Sequence, residues 1–174
     1  MSDTNHQKGN YYIIADHLRT AIFALADGAA FEPKGRGYIL KKLVKKATLL
    51  GHLLNLNSEH LQKISEKLIE VNSTHYRHLK EKKSLIISEL KKEINKSLDF
   101  INKSTKELDN HYSLKITAEN IFFWYDTKGI PLELIRFYLK NRNHEFPEKE
   151  FNNLLEKQKE KGREDREKKK VSVF

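Results

Sequence analysis

The sequence predicts an all-α fold, a bundle of about six to seven helices that includes one long helix at about 75–112. Apolar residues recur every three or four positions, residues 75–112 contain neither Gly nor Pro, and no segment sustains an alternation of apolar and polar residues. A helix of that length would extend roughly 55 Å. The 174 residues are enough for one domain with its own core. We place this domain at 1–165 and expect the charged segment 166–174 to fray.

Three shorter helices are predicted before the long one. The first, 11–27, carries a regular apolar stripe and stops at Gly28. The second, at about 38–50, places lysines on one side and apolar residues on the other. The third, at about 59–71, follows Asn57-Ser58, which offers an N-cap.

Three more helices are predicted after residue 112. Thr117 is expected to cap a helix that carries the aromatic run FFWY and ends before Gly129. A helix at about 131–141 follows. Pro147 suits the first turn of a last helix, at about 147–165.

Charge is the strongest functional feature of the composition. The formal net charge is +9, and cysteine is absent. A positive surplus favours an anionic partner, with nucleic acid first and an anionic membrane surface second. The absence of cysteine excludes disulfides and thiolate-bound metals. No apolar run approaches the ~20 residues of a membrane span, and the polar N-terminus is not a signal peptide, so we expect a cytoplasmic protein.

The positive charge is concentrated around the segment GRGYILKKLVKKA, residues 35–47. Six basic residues fall within the thirteen positions 34–46, with no acidic residue between them: Lys34, Arg36, Lys41, Lys42, Lys45 and Lys46. The four helical lysines share one arc of the second helix, which is the arrangement that holds phosphates. The two glycines beside Arg36 would let backbone and guanidinium approach RNA closely. The alternative is a solvated lysine-rich face.

Other candidate sites are weaker. Gly35-Arg36-Gly37 lacks the remaining elements of a nucleotide-binding loop. His75 and His78 have metal-ligand spacing but no obvious third ligand. Asp16 is expected to pair with Arg19 rather than to act in acid–base chemistry. The aromatic run is expected to be mostly core.

Asp126 follows that aromatic run, and its role has two interpretations. A carboxylate held at the end of a helix can accept a hydrogen bond from a base amino group. It can equally cap a helix end or a turn. The sequence pattern does not separate the two.

Four segments together resemble one family, the alanyl-tRNA synthetases. YYIIADHLRTAIFALADGA is similar to its A-D-H-x-R-x-x-x-F-x-I-A-D-G motif, and GRGYILKKLVKKA to its G-R-G-Y-x-L-R-R-x-x-R-R-A motif. FFWYDTKGIPLELI resembles Y-D-T-x-G-F-P-x-D-L, and FNNLLEKQKEKGRE resembles F-x-x-L-M-E-x-Q-x-x-x-x-R. Their order and spacing match across nearly the whole chain.

The resemblance implies the helical tRNA-recognition region that follows the catalytic domain, docks the acceptor stem and reads a G·U wobble pair. It implies a non-catalytic, monomeric fragment, or a stand-alone relative. No cofactor is expected in this fragment, since ATP and Mg²⁺ belong to the full-length enzyme. The expected tRNA contacts, for alanine tRNA, are Lys34, Arg36, Tyr38, Lys41, Lys42, Lys45, Lys46 and Asp126.

The family pattern is not complete. The family places an Asn just before G-R-G-Y, on the other side of the wobble pair from the Asp that matches Asp126. This chain has Pro33 there, which has no side-chain donor or acceptor. Lysines also replace the arginines of the basic segment, so we expect a more electrostatic, salt-sensitive contact. The alternatives are a helical protein-interaction module and a non-specific RNA binder.

Overall fold

The computed structural model describes residues 2–112 and 116–171, with side chains at 8–112 and 116–164. Within these ranges the chain forms eight α-helices and one π-helical turn, with no strand, which confirms the all-α prediction. The helices are α1 Ser2–Ala26, α2 Gly35–Leu53, α3 Ser58–Ser73, α4 Arg77–Glu81, α5 Lys83–Asn110, α6 Ala118–Phe122, α7 Leu132–Lys140 and α8 Glu148–Val171, and the π-helical turn is Phe123–Thr127. Among the described helices, none has the length and apolar character that a membrane crossing requires.

The chain falls into two compact units, Met1–Asn102 and Lys103–Phe174. The sequence predicts one domain over 1–165, and that boundary stays a prediction, because compactness alone does not define an independently folding domain. α8 extends through residues 166–171. Residues 172–174 lie outside the described part of the chain, and the expected fraying of 166–174 stays a prediction.

The core of the first unit is the apolar stripe of α1 packed on α2 and α3. Leu18 and Ala21 of α1 are fully buried, as are Val44 of α2 and Leu61 of α3. These residues recur at helical spacing, so the sequence pattern correctly identifies the buried faces. Asn57 caps α3, with its Oδ1 accepting from the backbone N–H of His60 at 3.0 Å.

The predicted long helix at 75–112 is wrong in its boundaries, because the chain breaks at Lys82 into α4 and α5. The ammonium group of Lys82 donates to the carbonyl oxygen of Ala26, at the end of α1, at 2.5 Å. Leu79 before the break and Ile86 after it are both fully buried. A contact with the end of α1 therefore overrides local helix propensity, and α5 has 28 residues and a length of about 42 Å.

The second unit has an aromatic core. Trp124 and Phe151 are 2% and 1% exposed, and Phe151 lies edge-on to Tyr125 with ring centroids 5.8 Å apart. Thr117 caps α6 as predicted, accepting from the backbone N–H of Asn120 at 3.3 Å. The aromatic run is only partly core, since Phe123 and Tyr125 remain 42% and 38% exposed.

Candidate nucleic-acid interface

One side of α2 presents a basic surface, here called the lysine face, formed by Tyr38, Lys41, Lys42, Lys45 and Lys46. At about 100° per residue, the four lysines fall on one arc with Tyr38 inside it. Lys42 and Lys45 are exposed, whereas Lys41 and Lys46 are partly buried. The opposite side buries Leu40, Val44 and Ala47. The same periodicity that builds the core therefore assembles the lysines.

The lysine face has no acidic counterpart on its own helix. α2 contains neither Asp nor Glu. Among the described residues, no carboxylate lies within ion-pair distance of Lys41, Lys42 or Lys45. The Lys42 ammonium instead lies 4.6 Å from the centre of the Tyr38 ring, within the range of a cation–π contact. The positive charge of Lys41, Lys42 and Lys45 is thus left for an external anion.

Arg36 does not share the lysine face. Its position on α2 lies about half a turn from Lys45. It lines a groove of about 660 Å³ together with Ile39 and Leu43 of α2 and Thr20 and Ala24 of α1. The lysines and Arg36 therefore present positive charge on different sides of the same helix.

The two glycines that flank Arg36 serve the fold of the loop before α2. Gly35 has a φ of +65°, a conformation that L-residues rarely adopt. Gly37 is buried, and a Cβ there would lie 2.4 Å from the carbonyl oxygen of Ala30 and 2.6 Å from the backbone nitrogen of Glu32. The expectation that both glycines open the backbone to RNA is wrong for Gly37, because the space around it is filled by the chain's own backbone.

Pro33 and Lys34 are exposed in the loop that leads into α2. Lys34 is the N-cap residue, in an extended conformation, and makes no side-chain cap hydrogen bond. The first turn of α2 contains no acid. The positive end of the helix dipole is therefore reinforced by Lys34 and Arg36 rather than neutralised.

Asp126 lies in the second unit, on the π-helical turn, and its side chain is exposed. Its Oδ1 accepts a hydrogen bond from the Nε2 of Gln158 on α8. The sequence does not predict Gln158 as a partner of Asp126. Asp126 belongs to the Y-D-T motif and Gln158 to the F-x-x-L-M-E-x-Q motif, so each residue can be singled out from the sequence. The spacing of the two motifs, however, carries no information about contact between them.

The π-helical turn is fixed at both ends. The backbone N–H of Lys128 donates to Phe123 at 3.1 Å, and that of Ile130 donates to Trp124 at 3.0 Å. Gly129 adopts a φ of +66°, which allows the chain to turn sharply there. Trp124 and Ile130 are both buried. A wide turn anchored in this way presents Asp126 outward, and π-helical turns are frequent at functional sites.

Among the described residues, no lysine or arginine lies within ion-pair distance of Asp126. Lys128 lies 2.8 Å from Glu107 and stacks over the Phe123 ring. Its hydrogen bond lowers the pKa of the Glu107 carboxyl below its usual value. The nearest cation in the sequence after Asp126 is therefore already engaged with another carboxylate.

The remaining candidates have structural roles or no support. Asp16 bonds Arg19 at 3.0 Å, as predicted. His78 lies 3.5 Å from Asp27. No cluster of three or more potential metal ligands occurs among the described residues, which include His75 and His78.

The chain belongs to the family described as tRNA synthetases class II (A), whose sequence profile matches residues 1–174. Similar curated proteins are alanine–tRNA ligases. That of Rickettsia prowazekii (strain Madrid E) is 34% identical over 90% of this chain, and that of Clostridioides difficile (strain 630) is 34% identical over 87%. One from Campylobacter jejuni (serotype O:6) is 32% identical over 86%. In each case the chain spans 18% of the relative's length. The family that the four motifs indicated is thus confirmed.

Proposed function

We propose that this chain is the tRNA-binding part of an alanine–tRNA ligase and that it binds the acceptor stem of alanine tRNA in the cytoplasm. The observation that carries the proposal is the lysine face, a positive surface on a well-packed helix, on which Lys41, Lys42 and Lys45 have no carboxylate within ion-pair distance among the described residues. Alanine attachment, with its ATP and Mg²⁺, would belong to a longer protein of which this chain is a small part. The fragment itself is proposed to be non-catalytic and monomeric.

The lysine face would contact the phosphate backbone. Phosphate contacts supply much of the affinity of nucleic-acid-binding proteins and fix their register. Lys41 and Lys45 lie one turn apart, as do Lys42 and Lys46, so the face follows the helix axis and suits a linear row of phosphates. Lysine is a point charge without the fork of arginine, so this contact would be strongly salt-dependent.

Asp126 would contact a base edge. A-form RNA exposes its shallow minor groove and hides its deep major groove from side chains. In the minor groove the guanine amino group is the distinguishing donor, and an ionised carboxylate can only accept. Asp126 could therefore bond the guanine of a G·U pair, whose wobble geometry places that amino group differently from a G·C pair.

Because of Pro33, the proposed readout of the G·U pair uses only one of the two residues that the family places beside it. It offers neither a side-chain donor nor a backbone N–H at the position where the family has Asn. Lys34 is exposed beside it and supplies a charge rather than a base-specific contact. We propose that affinity comes from the lysine face and that base discrimination rests on Asp126.

The test is a quadruple substitution of Lys41, Lys42, Lys45 and Lys46 by Gln. Its matched control replaces four exposed lysines of α5 by Gln, removing the same charge elsewhere: Lys83, Lys91, Lys92 and Lys96. Binding to an alanine-tRNA acceptor minihelix is titrated between about 50 and 200 mM salt. The lysine-face variant should lose binding, and partial variants should lower the log–log salt slope by about 0.9 for each contact removed. Equal behaviour of the two quadruple variants would contradict the proposal and favour a solubilising face on a protein-interaction module.

A further inference from the structure

The bond between Gln158 and Asp126 joins α8 to the π-helical turn within the second unit. Both side chains are exposed, so the bond contributes little to the core. An exposed hydrogen bond adds little net stability, because water can replace either partner, but while it is formed it restricts the orientation of both side chains. The main effect of this bond should therefore be on the orientation and function of the Asp126 carboxylate.

α8 is held against the turn by an aromatic contact two turns before Gln158. Phe151 is buried and contacts Phe122, Tyr125 and Phe146, with ring centroids 6.2, 5.8 and 5.2 Å away. Residues seven positions apart lie on the same face of a helix. Phe151 therefore anchors the face of α8 from which Gln158 reaches Asp126.

The chemistry of the bond leaves Asp126 able to bind a second donor. Gln158 uses its Nε2 donor on Oδ1, and a carboxylate has a second oxygen and further lone pairs. A fixed rotamer also loses less freedom when it binds an external donor. The amide donor thus orients the carboxylate but leaves its negative charge in place. A lysine partner would neutralise that charge.

We propose that Gln158 is a positioning residue that holds the Asp126 carboxylate in the orientation needed to accept from the guanine amino group. Gln158 acts through Asp126 and sets base discrimination rather than overall affinity. This inference rests on the proposed function, because it presupposes that Asp126 contacts the base.

The experiment compares the binding of the full chain to two acceptor minihelices, one with a G·U pair and one with G·C. Gln158→Met keeps the side-chain length but removes the donor. Gln62→Met is the matched control, since Gln62 donates to a carboxylate, Glu66, at 3.0 Å within α3. Thermal unfolding of each variant checks that the fold is intact.

Gln158→Met should reduce the preference for G·U by about twofold to tenfold and leave binding to G·C unchanged. In an Asp126→Ala background the same substitution should not change the preference further, because Gln158 acts through Asp126. Gln62→Met should keep the preference. A preference that survives Gln158→Met overturns this inference alone. A uniform loss of affinity for both minihelices also overturns it. A parent chain that binds both minihelices equally overturns the inference together with the proposed base readout.

Discussion

Replacing Gly37 with alanine tests how the loop before α2 is packed. The added Cβ would lie 2.4 Å from the Ala30 carbonyl oxygen and 2.7 Å from the Glu32 Cβ. Favourable contacts between carbon atoms begin at about 3.5 Å, so the backbone would have to move by about 1 Å. Overpacking of this kind costs about 1–3 kcal/mol, and the gain in helix propensity returns at most about 1 kcal/mol. We expect a net loss of about 1–2 kcal/mol in the free energy of unfolding.

The assay is thermal unfolding followed by circular dichroism. A loss of that size lowers the Tm of a chain of this length by about 2–8 °C. Gly9→Ala is the matched control, because Gly9 also lies in a helix of the first unit and a Cβ there meets nothing within 4 Å. The control should raise the Tm slightly through helix propensity. A Gly37→Ala variant as stable as the Gly9→Ala variant would refute the account of the loop.

Two further predictions concern helix ends and charge. Asn57→Ala should lower the free energy of unfolding by about 1 kcal/mol, because it removes the N-cap of α3; a denaturant midpoint that does not move would contradict this. Arg136 donates a hydrogen bond to Glu148 and holds the pKa of that carboxyl below its usual value of 4.5. The stabilisation by this ion pair is therefore fully present above pH 4.5, and it is lost as the pH falls through the lower pKa of the folded state. Glu148→Gln should therefore lower the Tm at pH 7 but converge with the parent chain in acid, and a difference that stays constant with pH would count against it.

The faces of the helices follow from the sequence because burial repeats with helical period. The α1 stripe at Leu18 and Ala21 and the division of α2 into lysine and apolar sides are local patterns. The Asn57 and Thr117 caps are also local, since each depends on a side chain and a backbone N–H three residues away.

The break at Lys82 and the role of Gly37 are not visible in the sequence, because both depend on groups distant along the chain or across a loop. Lys82 reaches a carbonyl 56 positions earlier, and Gly37 is limited by backbone that packs on it after folding. The same holds for the candidate site. The lysines could be identified from their charge and spacing, whereas Gln158 lies 32 positions from Asp126 and is brought to it by the packing of α8.

The most direct test of the central claim is the titration of the chain with acceptor minihelices carrying G·U or G·C, at about 150 mM salt, where screening weakens non-specific contacts. The account predicts that the parent chain binds the G·U minihelix more tightly than the G·C minihelix. Asp126→Ala should remove this preference but retain binding to the G·C minihelix through the lysine face. Equal binding of the parent chain to both minihelices, or a preference unchanged by Asp126→Ala, would contradict it.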